Sequence, residues 1–63
     1  SAKQFHTARR YERARFLLET TDDSVTDIAL AVGFPSASAF IREFKRRCGS
    51  PPEGFRRGLR DAV

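Results

Sequence analysis

The chain has 63 residues, with 12 Lys and Arg against 8 Asp and Glu, a formal net charge of +4, one Cys and one His. A chain this short is one domain at most. It buries only about 60% of the surface that its unfolded form exposes, which leaves it marginal without staples. It has none: a lone Cys48 forms no internal disulfide, Cys48 and His6 cannot complete a tetrahedral zinc site, no apolar run approaches the ~18 residues of a membrane span, and no signal-peptide pattern opens it. These limits imply a piece of a longer protein, or a module that leans on a partner. A single unpaired cysteine suits a reducing, cytoplasmic setting. No cofactor and no metal is expected.

Residues 1–20 contain no Gly or Pro and are rich in Ala, Arg, Leu and Glu, which predicts one long helix. Ser1 and Gln4 are spaced as a capping box at its start. At about 100° per residue, Tyr11, Ala14, Leu17 and Leu18 share one face, and Phe5, Arg9, Glu12 and Phe16 share the opposite one. A single short chain offers one core, so Phe5 and Phe16 are left without an evident partner; exposed single aromatics are also ordinary. Thr20-Thr21-Asp22-Asp23 ends the helix. A second helix is predicted from about Val25 to Val32, with Ser24 and Asp27 spaced as a capping box. Ile28, Ala29 and Val32 lie on its inner face. Gly33 can take the left-handed conformation that closes a helix, and Pro35 forbids its continuation. Phe34 then plugs the turn.

Ser36 caps a third helix predicted over residues 37–47, with Gly49 as its stop. Ala37, Phe40, Phe44 and Cys48 make its apolar stripe. Ser38, Arg42, Lys45 and Arg46 point away from that stripe, and Ile41 lies at the border. Pro51 caps a short fourth helix that Pro52 begins, with Phe55 and Leu59 facing the core. Strand signals are absent. The fold class is therefore all-α: a long N-terminal helix, a helix-turn-helix joined by a Gly-containing turn, and a short C-terminal helix. Spacing alone does not separate a DNA-binding helix pair from any other helical corner.

The charge map favours the first. Residues 1–15 carry Lys3, Arg9, Arg10, Arg13 and Arg15 against Glu12, residues 16–40 carry only Glu19, Asp22, Asp23 and Asp27, and residues 41–63 carry seven Lys and Arg against Glu43, Glu53 and Asp61. Clustered basic charge is the footprint of a polyanion binder. A solvated face with ion pairs such as Glu12 with Arg9 or Arg15 is the plainer reading of part of it. Catalysis finds no support: there is no nucleophile–base pair or Gly-rich phosphate loop, His6 reads as a surface residue, and Cys48 falls on the core stripe. The competing class is a helical protein–protein interaction module anchored by Phe5 and Phe16.

Glu12-Arg13-Ala14-Arg15 with Leu17-Leu18, Val25-Thr26-Asp27-Ile28-Ala29, Gly33-Phe34, Phe40, Phe44-Lys45, Gly49, Pro52 and Phe55-Arg56 follow one another in an order that resembles the C-terminal part of the AraC/XylS family of transcription regulators. The resemblance covers nearly the whole chain. It departs at Ala2, where the family often has proline, at Phe55, often tyrosine, and at Phe16, usually polar. It implies a homeodomain-like layout in which residues 1–20 are the linker helix and residues 21–63 the second of two helix-turn-helix units, the first lying outside this chain. A weak likeness between residues 1–5 and 51–55 fits such a duplication. The resemblance further implies sequence-specific binding of double-stranded DNA, with the third helix as recognition helix and Ala37, Ser38, Ile41 and Arg42 facing bases or the adjacent backbone. Its later position on the helix assigns Lys45, with Arg46, to phosphates. RNA polymerase and the first unit are the implied protein partners, and no ligand pocket is expected here.

Overall fold

The computed structural model describes residues 2–61, with side chains described from Ala8 onward. It contains four helices, α1 (Ala2–Thr20), α2 (Val25–Ala31), α3 (Ala37–Cys48) and α4 (Pro52–Asp61). No strand occurs among the described residues. The expected cap at Ser1 and the surroundings of Phe5 and His6 lie outside the described residues.

Local chemistry sets each boundary. At the end of α1, Thr20 Oγ1 donates to Phe16 O at 2.8 Å and Thr21 Oγ1 to Leu17 O at 2.7 Å, so the two hydroxyls fold back on carbonyls of the last turn, and Leu17 O also accepts the Thr21 N–H at 3.0 Å. Ser24 has extended geometry, and its Oγ accepts the Asp27 N–H at 3.0 Å. This is the hydroxyl half of the expected capping box. Asp27 makes no return bond among the described residues, since its carboxylate is one methylene shorter than the Glu that closes such a box.

The second helix stops one residue earlier than predicted, with Val32 as its cap. Phe34 N–H donates to Ala29 O at 3.0 Å and Gly33 N–H to Leu30 O at 3.1 Å. These are the two bonds of a Schellman motif, and they require the φ of +96° that Gly33 adopts. The third helix begins where Ser36 Oγ accepts the Ala39 N–H at 3.2 Å, and it ends one residue later than predicted, at Cys48, where Gly49 turns left-handed at φ +90°. Lys45, Arg46 and Arg47 fill its last turn, where the helix dipole favours cations. Pro52 opens α4 as expected.

The core is Ala14, Leu18, Ile28, Ala29, Val32, Phe40 and Phe44. Ala14 and Ala29 are fully buried, and α1 and α3 each pack on both α2 and α4. Phe44 stands at the centre: its ring lies 5.2 Å from Tyr11, 5.6 Å from Phe40 and 5.4 Å from Phe55. Phe34 extends the series, 5.4 Å from Phe40. Burial is the main force pushing the Tyr11 phenol above its ordinary value, and its hydrogen bond to Cys48 adds to the shift. Cys48 is half-buried at the core margin. Leu59 departs from expectation: it is 38% exposed, on the rim of the groove beside Leu18.

One polar device spans the fold. Arg56 of α4 donates to three carbonyls around the end of α1: Leu18 O at 3.3 Å, Thr21 O at 3.1 Å and Asp23 O at 2.6 Å. Arg60 pairs with Asp22 at 2.6 Å one turn further on. Together they fasten α4 across the α1–α2 connection. Replacing Arg56 with Ala leaves half-buried carbonyls without a donor, and stability falls by about 1–3 kcal/mol. Arg56→Lys recovers only part, because an ammonium cannot fork to three acceptors held apart. Arg57→Ala, at an exposed position, stays within about 0.5 kcal/mol of wild type. Thermal and urea unfolding followed by circular dichroism reads these differences; equal midpoints for Arg56→Ala and Arg57→Ala would remove Arg56 from the account.

Candidate nucleic-acid interface

Helix α3 has one face committed to the core and one to solvent. Phe40 and Phe44 are each 1% exposed and fix the inward direction. Ser38, Ile41, Arg42, Lys45 and Arg46 are exposed on the outer side. Ala37, at the first turn, is half-buried, as its place on the apolar stripe dictates. Five of the six residues singled out in the sequence therefore share an exposed surface, and Ala37 lies at its edge.

The cations on this surface are not equivalent. Glu43, between the two faces, accepts from Arg46 through a fork, Nη2 to Oε1 at 2.9 Å and Nε to Oε2 at 3.4 Å, and from Arg47 Nε at 3.1 Å. The hydrogen bond from Arg46 is the main reason the Glu43 carboxyl is held below the usual carboxylate range, and Arg47 adds to it. The same contact raises Arg46 above its ordinary value. Arg42 and Lys45 pair with no carboxylate among the described residues. A hydrogen-bond acceptor arriving from solvent meets Arg42 and Lys45 with donors unspent, whereas it meets Arg46 already engaged along one edge.

The remaining basic charge is divided between folding and surface. Arg56 and Arg60 serve the clamp described above. Arg15 pairs with Glu19 at 3.3 Å, rather than with Glu12. Arg13 lies 5.6 Å from the Phe16 ring, and that ring is 51% exposed on the side of α1 away from the core. An open groove of about 360 Å³ between the start of α2 and α4 is lined by Ser24, Val25, Glu53, Arg56, Arg57 and Arg60. No helix among the described residues is long and apolar enough to cross a membrane.

The pairing of Glu43 was readable as i,i+3 and i,i+4 spacing. The Arg56 clamp was not, since its acceptors lie 33 to 38 residues away.

A helix pair joined by a Gly-Phe turn, with the second helix presenting Ser, Ile, Arg and Lys outward, is the layout of a helix-turn-helix unit. Comparison with known proteins agrees. The family described as "Helix-turn-helix domain" matches residues 1–58, and the chain belongs to this family, of the AraC/XylS type. It is 44% identical over 55 residues to the melibiose operon regulatory protein of Escherichia coli, covering 87% of this chain and 18% of that protein. It is 41% identical over 61 residues to an HTH-type transcriptional regulator of Staphylococcus aureus, covering 97% of this chain and 8% of that one. The chain thus spans less than a fifth of these relatives. Among solved structures it superimposes on the DNA-binding domain of AdpA in complex with a target DNA with a TM-score of 0.90 at 37% identity, over 94% of this chain and 53% of that one. It also superimposes on the C-terminal domain of the response regulator yesN from Fusobacterium nucleatum with a TM-score of 0.83 at 33% identity, over 86% and 52%.

The Glu43 contacts carry a pH signature. Its folded-state value lies below the ordinary glutamate value of about 4.3. The stability it contributes is therefore present above that ordinary value and is lost as pH falls through the lowered one. Carboxyl-detected NMR titration is expected to give a Glu43 midpoint that rises on Arg46→Ala and rises less on Arg47→Ala. A midpoint at the ordinary value in the unmodified chain would show that the fork does not persist in solution.

Proposed function

We propose that this unit binds double-stranded DNA sequence-specifically as part of a transcription regulator, with α3 in the major groove. The single observation that supports it most is the outer face of α3, where Arg42 and Lys45 stand exposed, with no carboxylate partner among the described residues, on a helix whose inner face is locked into an aromatic core. Its likeness to a domain solved on target DNA supports the same reading.

In this reading Arg42 reads base edges, because a guanidinium can bond the two acceptors of guanine at once. Ser38 and Ala37 lie on the first turn of α3, the part of a recognition helix that enters deepest, and Ile41 offers an apolar contact to a thymine methyl. Lys45 holds a phosphate. Arg46 does so as well, with the donors its fork to Glu43 leaves over. The reading leaves no role for catalysis. A second helix-turn-helix unit joined through α1, and RNA polymerase, are the proposed partners of the whole protein, which works in the cytoplasm. Two units a helical turn apart on one duplex multiply affinity through effective concentration. This unit by itself accordingly binds weakly and with little preference.

The decisive experiment measures affinities of the intact protein for a panel of single-base operator variants across a salt series. Arg42→Ala costs about 1–3 kcal/mol and relaxes preference at one position. Lys45→Ala weakens every site alike and reduces the salt slope by about 1. A uniform loss from Arg42→Ala, with preferences intact, would reassign Arg42 to the backbone. Affinity that does not fall steeply with salt would instead favour a protein-binding module built on the exposed Phe16.

A further inference from the structure

Arg10, a cation of α1, touches the turn of the helix-turn-helix. Its guanidinium carbon lies 5.8 Å from the centroid of the Phe34 ring. Its Nε lies 3.3 Å from the point a Cβ on Gly33 would occupy. The side chain thus crosses from α1 to the α2–α3 connection and rests on it. Gly33 is constrained twice at this point, by its left-handed φ and by the arginine lying where a side chain would project. Phe34 in turn packs on Phe40 of α3 at 5.4 Å. Arg10 is therefore carried by the segment that leads directly into Ser36 and the first turn of α3.

The chemistry of the contact leaves Arg10 able to bind. A guanidinium presents five N–H donors in its own plane, so a ring against its face does not consume them. No carboxylate pairs with Arg10 among the described residues, and the residue is exposed. Arg46, Arg47, Arg56 and Arg60 differ in this respect, since each spends donors on a carboxylate or on carbonyls. A side chain already held by an aromatic ring loses less freedom on binding than one free in solvent. Held, charged and unspent, it stands beside the end of a recognition helix that approaches DNA most closely.

We propose that Arg10 is a phosphate clamp: it binds the DNA backbone at the rim of the major groove that α3 enters, and so ties α1 and α3 to one duplex. This inference rests on the DNA-binding reading above. A backbone contact of this kind sets the register of the recognition helix and carries no base information of its own.

The test uses the intact protein, an operator selected by it from a random duplex library, and an unrelated duplex of equal length. Affinities are measured across a salt series for wild type, Arg10→Ala, Arg10→Lys, Phe34→Leu and the Arg10→Ala/Phe34→Leu double variant, with thermal melts of each. Arg10→Ala is expected to weaken both duplexes by the same factor and to lower the salt slope by about 1. Arg10→Lys, which keeps the charge, keeps the slope. Removing Arg10 is expected to cost less affinity when Phe34 is already Leu, since the ring that holds it is gone. A slope unchanged in Arg10→Ala, with any loss of affinity following the loss in melting temperature, would make Arg10 a structural contact and overturn the proposal alone. A wild-type protein that binds neither duplex would overturn the DNA-binding reading and this one with it.

Discussion

Phe44 is the residue on which the rest of the arrangement depends. It meets a ring from α1, one from α3 itself and one from α4, and Phe34 joins the same series through Phe40. A chain of 63 residues with no disulfide has little apolar area to spend. Aromatic side chains supply the most per residue, and tilted or edge-on pairs add to their burial. The geometry has a further effect. Rings from different helices that interlock at one point fix the rotation of α3 about its own axis, because turning it would drag Phe40 and Phe44 out of a packed site. The outer face of α3 is presented in one orientation because the inner face has only one way to fit.

Polar contacts complete what the rings begin, and they divide the charge of the chain between two tasks. A net charge of +4 suggests a surface given over to a polyanion. The structure shows that much of this charge is internal to the fold. Arg56 occupies three carbonyls at the end of α1, Arg60 is bound to Asp22, and Glu43 holds Arg46 and Arg47. Exposed ion pairs of this kind add little stability each. Their effect on the interface is larger, since among the described residues they leave Arg10, Arg13, Arg42, Lys45 and Arg57 as cations with donors to offer. Where the charge is usable matters more than how much there is.

The parts of the fold that could be read from the sequence are those set within a few residues. Ser24, Gly33, Ser36, Gly49 and Pro52 act through bonds and dihedral preferences of their immediate neighbours, and each stands where its chemistry placed it. The stripe of Phe40 and Phe44 follows from helical period and gave the outward face of α3 with it. What was missed acts across the chain. Nothing near Arg56 announces acceptors on α1, and nothing near Arg10 announces Gly33 and Phe34. Leu59 was placed inward by its spacing from Phe55, but period alone does not say whether a neighbouring helix is there to cover it, and it stands 38% exposed. Glu43 is the intermediate case: its spacing to Arg46 and Arg47 was local and legible, but a count of basic residues treated all of them as available.

The turn between α2 and α3 shows how these levels meet. The Schellman bonds of Gly33 and Phe34 close α2, and two residues later the Ser36 hydroxyl opens α3. The segment therefore has its backbone groups engaged on both sides of Pro35, whose ring fixes φ as well. Phe34 anchors it against Phe40, and Arg10 lies over the Phe34 ring. A turn held by backbone bonds, a proline, an aromatic anchor and a cation from a distant helix has little freedom to change the angle between its two helices. That rigidity suits the proposed docking of α3 in a groove of fixed width. On that proposal each side chain of α3 would arrive at a set depth, and a difference of one functional group on the facing surface would be felt as a contact made or lost, not absorbed by movement of the helix.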